Sequence, residues 1–203
     1  MRYTVSYTLV RASANVRSEK QAGASLIVVL LILIVVSILG VGGAQIASMA
    51  ERGARNDRDL QIAWQASEAA LLDAEFDIHG PGVSKRSAVF TNSKNITAFV
   101  PGCTGTGNSK GLCALAVTGK PAWLAVDFTD ASKVAEFGAF TDRPFAAGTT
   151  GPQPALKPRY IMEPIRDPGN RDLSDLSYIY RVTAMGFGPR EDIQAVTQIV
   201  FRN

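Results

Sequence analysis

From residue 24 to residue 43 the chain reads ASLIVVLLILIVVSILGVGG, twenty positions without a charge, with Ser25 and Ser37 as the only polar side chains. A helix rising about 1.5 Å per residue would cover roughly 30 Å over that length, the depth of a bilayer's hydrocarbon core. Backbone in lipid has no water to bond, so the run predicts a helix. Behind it the apolar positions become periodic. Ile46, Met49, Ala50, Gly53, Leu60, Ala63, Trp64, Leu71, Ala74 and Ile78 recur mostly at steps of three and four, interrupted by Asp57 and Ser67. Glu51 with Arg55, and Arg55 with Asp59, place opposite charges four apart, which supports a helix surface. The stretch EAALLDAE at 68–75 is rich in strong helix formers, and no proline follows the span before Pro81. The pattern predicts one nearly continuous helix over 24–78, transmembrane over 24–43 and amphipathic over 44–78. Gly40, Gly42 and Gly43 are its weakest point, and Gly80, Pro81 and Gly82 are its stop.

Beyond residue 79 the period shortens. Residues 88–90, 96–100 and 112–118 are short extended candidates broken by Asn, Gly and Pro; 122–128 is a further strand candidate and 129–137 a short helix opened by Thr129 or Asp130. Residues 144–158 carry four prolines and predict a loop. The clearest strands come last, over 159–165, 177–186 and 192–202. In them Tyr178, Tyr180, Val182 and Ala184 alternate with Ile179, Arg181 and Thr183, and Ile193, Ala195, Thr197 and Ile199 with Gln194, Val196, Gln198 and Val200. The glycines at 186 and 188 suit a hairpin between the last two. The expected fold class is α+β, with the long N-terminal helix packed on an antiparallel sheet in a head over 79–203.

Charge sharpens the front of the chain. Of 21 basic and 18 acidic residues, Arg2, Arg11, Arg17, Lys20 and Glu19 lie in residues 1–23, leaving 17 of each sign behind them. The basic excess belongs to the leader, where it holds that end on the cytoplasmic side. No basic patch remains to argue for nucleic acid. Residues 1–22 show no periodicity and resemble the charged front of an export signal. The small residues closing the apolar run lead straight into helix-compatible sequence, so processing is expected in front of the run, at Gly23, rather than after it. Cys103 and Cys113 flank the small, turn-prone stretch TGTGNSKGL in the exported part. In an oxidising periplasm they would pair and contribute on the order of 3 kcal/mol to head stability; the alternative is two free thiols.

A leader ending in glycine, a spanning run, a long helix and a β-rich head together resemble the type IV pilin family. Residues 51–75, ERGARNDRDLQIAWQASEAALLDAE, resemble the PilX-type minor pilin pattern at Glu51, Arg52, Asn56, Arg58, Asp59, Gln65, Ala66, Glu68, Ala69, Ala70, Leu71, Ala74 and Glu75. The tail blocks PRYIME at 158–163 and YRVTAMG at 180–186, with the strand carrying Gln198, resemble it as well. The resemblance implies cleavage by prepilin peptidase between Gly23 and Ala24, with methylation of the new Ala24 amine. It implies a helix that anchors first in the inner membrane, head in the periplasm, and later packs in a filament core. The partners it implies are other minor pilins, the major pilin and the inner-membrane assembly platform. Major pilins carry glutamate at the fifth mature position, which is Val28 here. A carboxylate in lipid persists only with a partner, so a subunit without one needs no neighbour above it. That suits a filament tip, and resembles the large minor pseudopilin of type II secretion, which stands as the alternative machine.

Enzymatic signals are weak. The Gly105, Gly107, Lys110, Gly111 stretch fails the P-loop pattern, since Gly111 follows the lysine. His79 is the single histidine, which excludes a multi-histidine metal site; at a helix end it is expected to bond carbonyls or face solvent. Asp127, Asp130, Glu136 and Asp142 lack EF-hand spacing and read as solvated charge. Trp64, Trp123, Phe128, Phe137 and Phe140 read as core. Neither catalysis nor a cofactor is expected; a signal-anchored periplasmic enzyme or an adhesin-like binding module remain as alternatives of other classes. The expected work is assembly: priming and growing a type IV pilus.

Overall fold

The computed structural model describes residues 24–80, 85–92, 94–148, 150–169 and 177–202. The leader with Gly23, and Pro81 and Gly82 of the expected helix stop, lie outside the described residues. Helix α1 runs over Ala24–His79 and is 56 residues long, one residue beyond the expected end. The Gly80 N–H closes its last turn on the Phe76 carbonyl at 3.0 Å. Gly40, Gly42 and Gly43 fall inside it.

The chain divides into two compact units, Met1–Ala50 and Glu51–Asn203. In the first, the described part of α1 has no core. Its large apolar side chains from Leu26 to Val41 are 47–69 % exposed, and Ser37 hides its hydroxyl by donating to the Leu33 carbonyl at 2.7 Å. By length and composition this helix is able to cross a membrane.

The second unit is built on an antiparallel sheet in sequential order: β1 (Ala135–Glu136), β2 (Arg159–Arg166), β3 (Tyr178–Phe187) and β4 (Gln194–Phe201). One face carries α1 residues 51–79. Along that helix face Ala63, Ala66, Ser67, Ala70 and Ala74 are buried, and their small size lets backbone approach backbone. A Cβ on Gly186 of β3 would stand 2.0 Å from the Ala63 carbonyl oxygen and 2.3 Å from the Ser67 nitrogen. Further along, Ala70, Ala74 and Ile78 meet Tyr160 and Met162 of β2, Tyr180, Val182 and Ala184 of β3, and Phe90, Phe99, Leu112 and Phe140. On the opposite face Ile161 joins Cys103, Cys113, Ala122, Phe128 and Val134, with Trp123, Val126 and Met185 against them. Strand β2 is therefore covered on both sides, which is why its first six residues are all buried instead of alternating. The architecture is α+β, with a long N-terminal helix and a four-stranded antiparallel sheet, as the pattern required.

The middle of the head departs from expectation. Residues 88–90 lie in a 3₁₀ turn, Ser87–Val89. The candidates over 96–100 and 112–118 reduce to single bridges, Val100 to Cys113 and Leu112 to Met162. The candidate strand over 122–128 starts with a short helix, α2 (Ala122–Ala125), whose first N–H donates to the buried Glu163 carboxylate at 3.2 Å. Over 129–137 no helix forms. Asp127 and Asp130 accept bonds from the backbone N–H and hydroxyl of Thr129 and Ser132, two residues on, and such local turns compete with helix initiation. The segment ends in β1.

Helix and sheet meet with no room at Gly186. Replacing Gly186 with Val should destabilise the head by about 1–3 kcal/mol or more, whereas Gly53→Ala, with open space around it, should stabilise α1 by about 0.5–1 kcal/mol. Thermal melts of the full chain in detergent, followed by circular dichroism, should therefore move in opposite directions.

Candidate functional site

Among the described residues before Glu51 none is buried, so two regions stand out: the bare apolar helix and whatever fixes residues 51–79 of α1 to the head. The second is a buried polar network that begins on the helix. Asp73 and Asp77 stand one turn apart on the face bearing Ala70, Ala74 and Ile78, and both are fully buried. Asp77 Oδ2 accepts from the Nε of Arg86 at 2.8 Å, from a second nitrogen of the same guanidinium, and from the Tyr160 hydroxyl at 3.1 Å. Arg86 is buried as well. Its other terminal nitrogen donates to the carbonyls of Asn108 at 3.3 Å and Lys110 at 2.6 Å, and its guanidinium lies 3.6 Å from the centre of the Phe140 ring. Burial, then the Asp77 charge, pushes the Tyr160 hydroxyl well above the usual phenol range, so it stays a donor.

Asp73 takes a different set. It accepts from the Gly138 N–H at 2.9 Å and the Thr141 hydroxyl at 2.5 Å, with Arg143 at 3.6 Å. Burial raises its carboxyl above the usual range despite these three favourable contacts. In the window between its ordinary and raised values the folded chain holds a proton that the unfolded chain releases, so this group's contribution falls as pH rises through that window. A third buried carboxylate, Glu163, bonds Arg181 on the neighbouring strand at 2.9 Å as well as opening α2. Buried Arg159 ties the turn before β1 by donating to the carbonyls of Phe128 at 2.8 Å and Thr129 at 2.6 Å.

The disulfide belongs to the same assembly. The Sγ atoms of Cys103 and Cys113 are 2.07 Å apart with their Cα atoms at 4.5 Å. The loop they close contains Asn108 and Lys110, whose carbonyls receive Arg86, and it leads into Gly111 and Cys113, which bond Met162 of β2 in both directions at 2.8 and 2.9 Å. The glycine-rich stretch is thus a disulfide-bounded loop holding a 3₁₀ turn, Gly107–Ser109, and its glycines serve chain geometry.

Ala24 is the first residue of α1, and Val28 sits one turn on with its side chain exposed. His79 is the last residue of α1, its ring edge-on to Phe201 at 6.4 Å. The four head carboxylates disperse to separate partners: Asp127 and Asp130 to their own turns, Glu136 to Lys157 at 3.6 Å and Arg159 at 4.0 Å, and Asp142 to Lys85 at 2.6 Å. Hydrogen bonds to Thr129 and Ser132 hold the carboxyls of Asp127 and Asp130 below the usual range. Among the described residues no cluster of metal-ligating side chains forms. Phe128, Phe137 and Phe140 are buried and Trp123 packs beside the second core cluster. Trp64 corrects its expectation: it is 50 % exposed, with its indole N–H donating to Glu68 at 2.7 Å, because the small residues Ala63, Ala66 and Ser67 take the sheet-facing side of that turn.

Sequence reasoning passed over Asp73, Asp77, Arg86 and Glu163. A signal existed on the helix, since two acids four apart fall within the apolar stripe formed by Ala70, Ala74 and Ile78, where a charge needs a partner. Arg86→Met takes the guanidinium from the buried Asp77 carboxylate and should cost about 3–5 kcal/mol. A urea titration of the full chain in detergent, followed by near-ultraviolet circular dichroism, should show that loss as a lowered midpoint.

Comparison with known families places both regions. The PilX N-terminal model matches residues 22–72, covering the bare helix and the start of the head-bound segment. The model for the C-terminal part of the type IV pilus assembly protein PilX matches residues 109–203, from within the disulfide loop through β4. No curated protein and no solved structure matches the chain. A helix built for lipid or for other helices, joined to a head held on by buried carboxylates, lies under two matched regions that together exceed half of the sequence, and the chain belongs to the PilX family of type IV pilus assembly proteins.

Proposed function

We propose that this minor pilin primes and helps assemble the type IV pilus, acting at or near the filament tip. The observation that carries the reading is the bareness of α1 before Glu51: twenty uncharged residues with their large side chains exposed, under a family match that starts at residue 22. An apolar surface of that kind has to be covered by lipid or by other helices. Residues 24–43 then serve twice, as a single inner-membrane span with its N-terminus cytoplasmic and its head periplasmic, and as a packing element in the filament core.

Prepilin peptidase makes the exchange possible by cutting between Gly23 and Ala24, removing the basic leader over 1–23 that would otherwise pin the helix to the cytoplasmic face. With Val28 where a major pilin has glutamate, the subunit makes no charge contact with a neighbour above and so sits first in line. The other minor pilins, the major pilin and the inner-membrane assembly platform are its partners. The head over 79–203 presents surface to them, and the bond between Cys103 and Cys113 keeps the loop that receives Arg86 closed. The role is structural and takes no cofactor.

Sequencing the mature N-terminus from membranes with and without prepilin peptidase should give Ala24 in the first case and Met1 in the second. Met1 in both would remove the pilin reading. Deleting the gene should cut surface piliation sharply while the major subunit stays at its normal level in the membrane; full piliation would overturn the assembly role.

A further inference from the structure

The sheet ends on a strand that no described residue covers. β4 reads QAVTQIVF, eight residues with no charge, proline or glycine. Natural edge strands are usually blunted by a lysine, a proline, a bulge or a covering segment, because their free backbone groups invite another strand. The groups involved can be named. The Gly188 N–H bonds the Ile193 carbonyl at 2.7 Å, and in an antiparallel ladder bonded pairs alternate with unbonded ones. In the β3–β4 register, Gly186 with Ala195, Ala184 with Thr197, Val182 with Ile199 and Tyr180 with Phe201 are therefore the bonded pairs. The N–H and C=O groups of Gln194, Val196, Gln198 and Val200 point away from the sheet, and among the described residues no backbone bond reaches them. Val196 and Val200 are each 48 % exposed on the face away from α1. The opposite edge differs, since β1 is two residues long and the strand behind it is closed by the disulfide loop.

We propose that β4 is a docking edge that takes one extended, uncharged strand from a different subunit of the pilus. This rests on the assembly reading above and names the contact surface for it. A second copy fits poorly. Antiparallel self-pairing needs a two-fold axis along the sheet normal, which reverses residues 51–79 of α1 between the copies. Subunits stacked in one filament share one direction, which such an axis does not preserve. A strand from another subunit has no such constraint. It gains a ladder of bonds on the outward groups, with Val196 and Val200 giving side-chain contact on one face.

The test uses full-length chain, alone in detergent and in the complex with its co-expressed pilus subunits, read by amide hydrogen exchange at single-residue resolution. The amides of Gln194, Val196, Gln198 and Val200 should exchange about tenfold or more slowly in the complex, while Thr197 and Ile199, already bonded, change little. Val196→Pro with Val200→Pro removes two outward N–H groups and no ladder bond, since proline is tolerated at such edge positions. With an unchanged melting temperature and an intact disulfide, this variant should lose the other subunits on purification and fail to restore piliation to a deletion strain. Val196→Thr with Val200→Thr, which keeps both amides, should restore it. Outward amides that exchange equally fast in both states would overturn the proposal, as would full piliation by the proline variant in a strain that needs the gene. A detergent-solubilised chain that is already dimeric, with the same amides protected, would assign the edge to a second copy and overturn it too. A deletion strain with normal piliation would instead strike the assembly reading.

Discussion

The head hangs on the carboxylates that α1 carries into the core. A helix held by alanines alone slides easily, because small apolar side chains specify closeness without register. Asp73 and Asp77 supply the register. Each is buried at a cost that only particular partners offset: Gly138 and Thr141 for the first, Arg86 and Tyr160 for the second. Displacing the helix by one turn would strand two charges, so only one placement of α1 on the sheet satisfies both. The approach at Gly186 works with this constraint, bringing backbones together where no side chain intervenes.

From Asp77 the constraint spreads outward through Arg86. Its remaining donors are spent on carbonyls inside the disulfide loop, and that loop extends the edge of β2 through Gly111 and Cys113. The irregular middle of the head is thus ordered by specific bonds in place of regular structure, with few strands and many single bridges. Glu163 performs the same service on the other face of the sheet, joining β3 through Arg181 and opening α2. These bonds fasten the head firmly to residues 51–79 of α1.

The membrane-ward part of α1 follows the opposite logic. Among the described residues it has no internal partner, and its uniform apolar surface suits any surrounding that excludes water. The sheet's outer edge repeats the theme in another chemistry, offering unbonded backbone in place of bare side chains. A chain in the PilX family would present both to its neighbours, one along the helix and one along β4.

Periodicity determined much of this from the sequence alone: the helix over nearly all of its length, the three long strands and the hairpin. These follow from local rules, a period of 3.6 or of 2 and turn residues between, and they hold whatever packs against them. Tertiary structure decided the rest. The segment at 122 had a weak local preference, and there the first N–H of a short helix meets the Glu163 carboxylate from β2. Trp64 read as core because it lies in the apolar stripe, yet close packing of helix on sheet admitted only its small neighbours. Asp73, Asp77 and Arg86 were visible as residues, but their pairing links positions nine to eighty-three apart in the chain, and no local pattern encodes which buried charge will meet which. A burial cost is paid at one residue and recovered at another, so only the folded chain reveals the match.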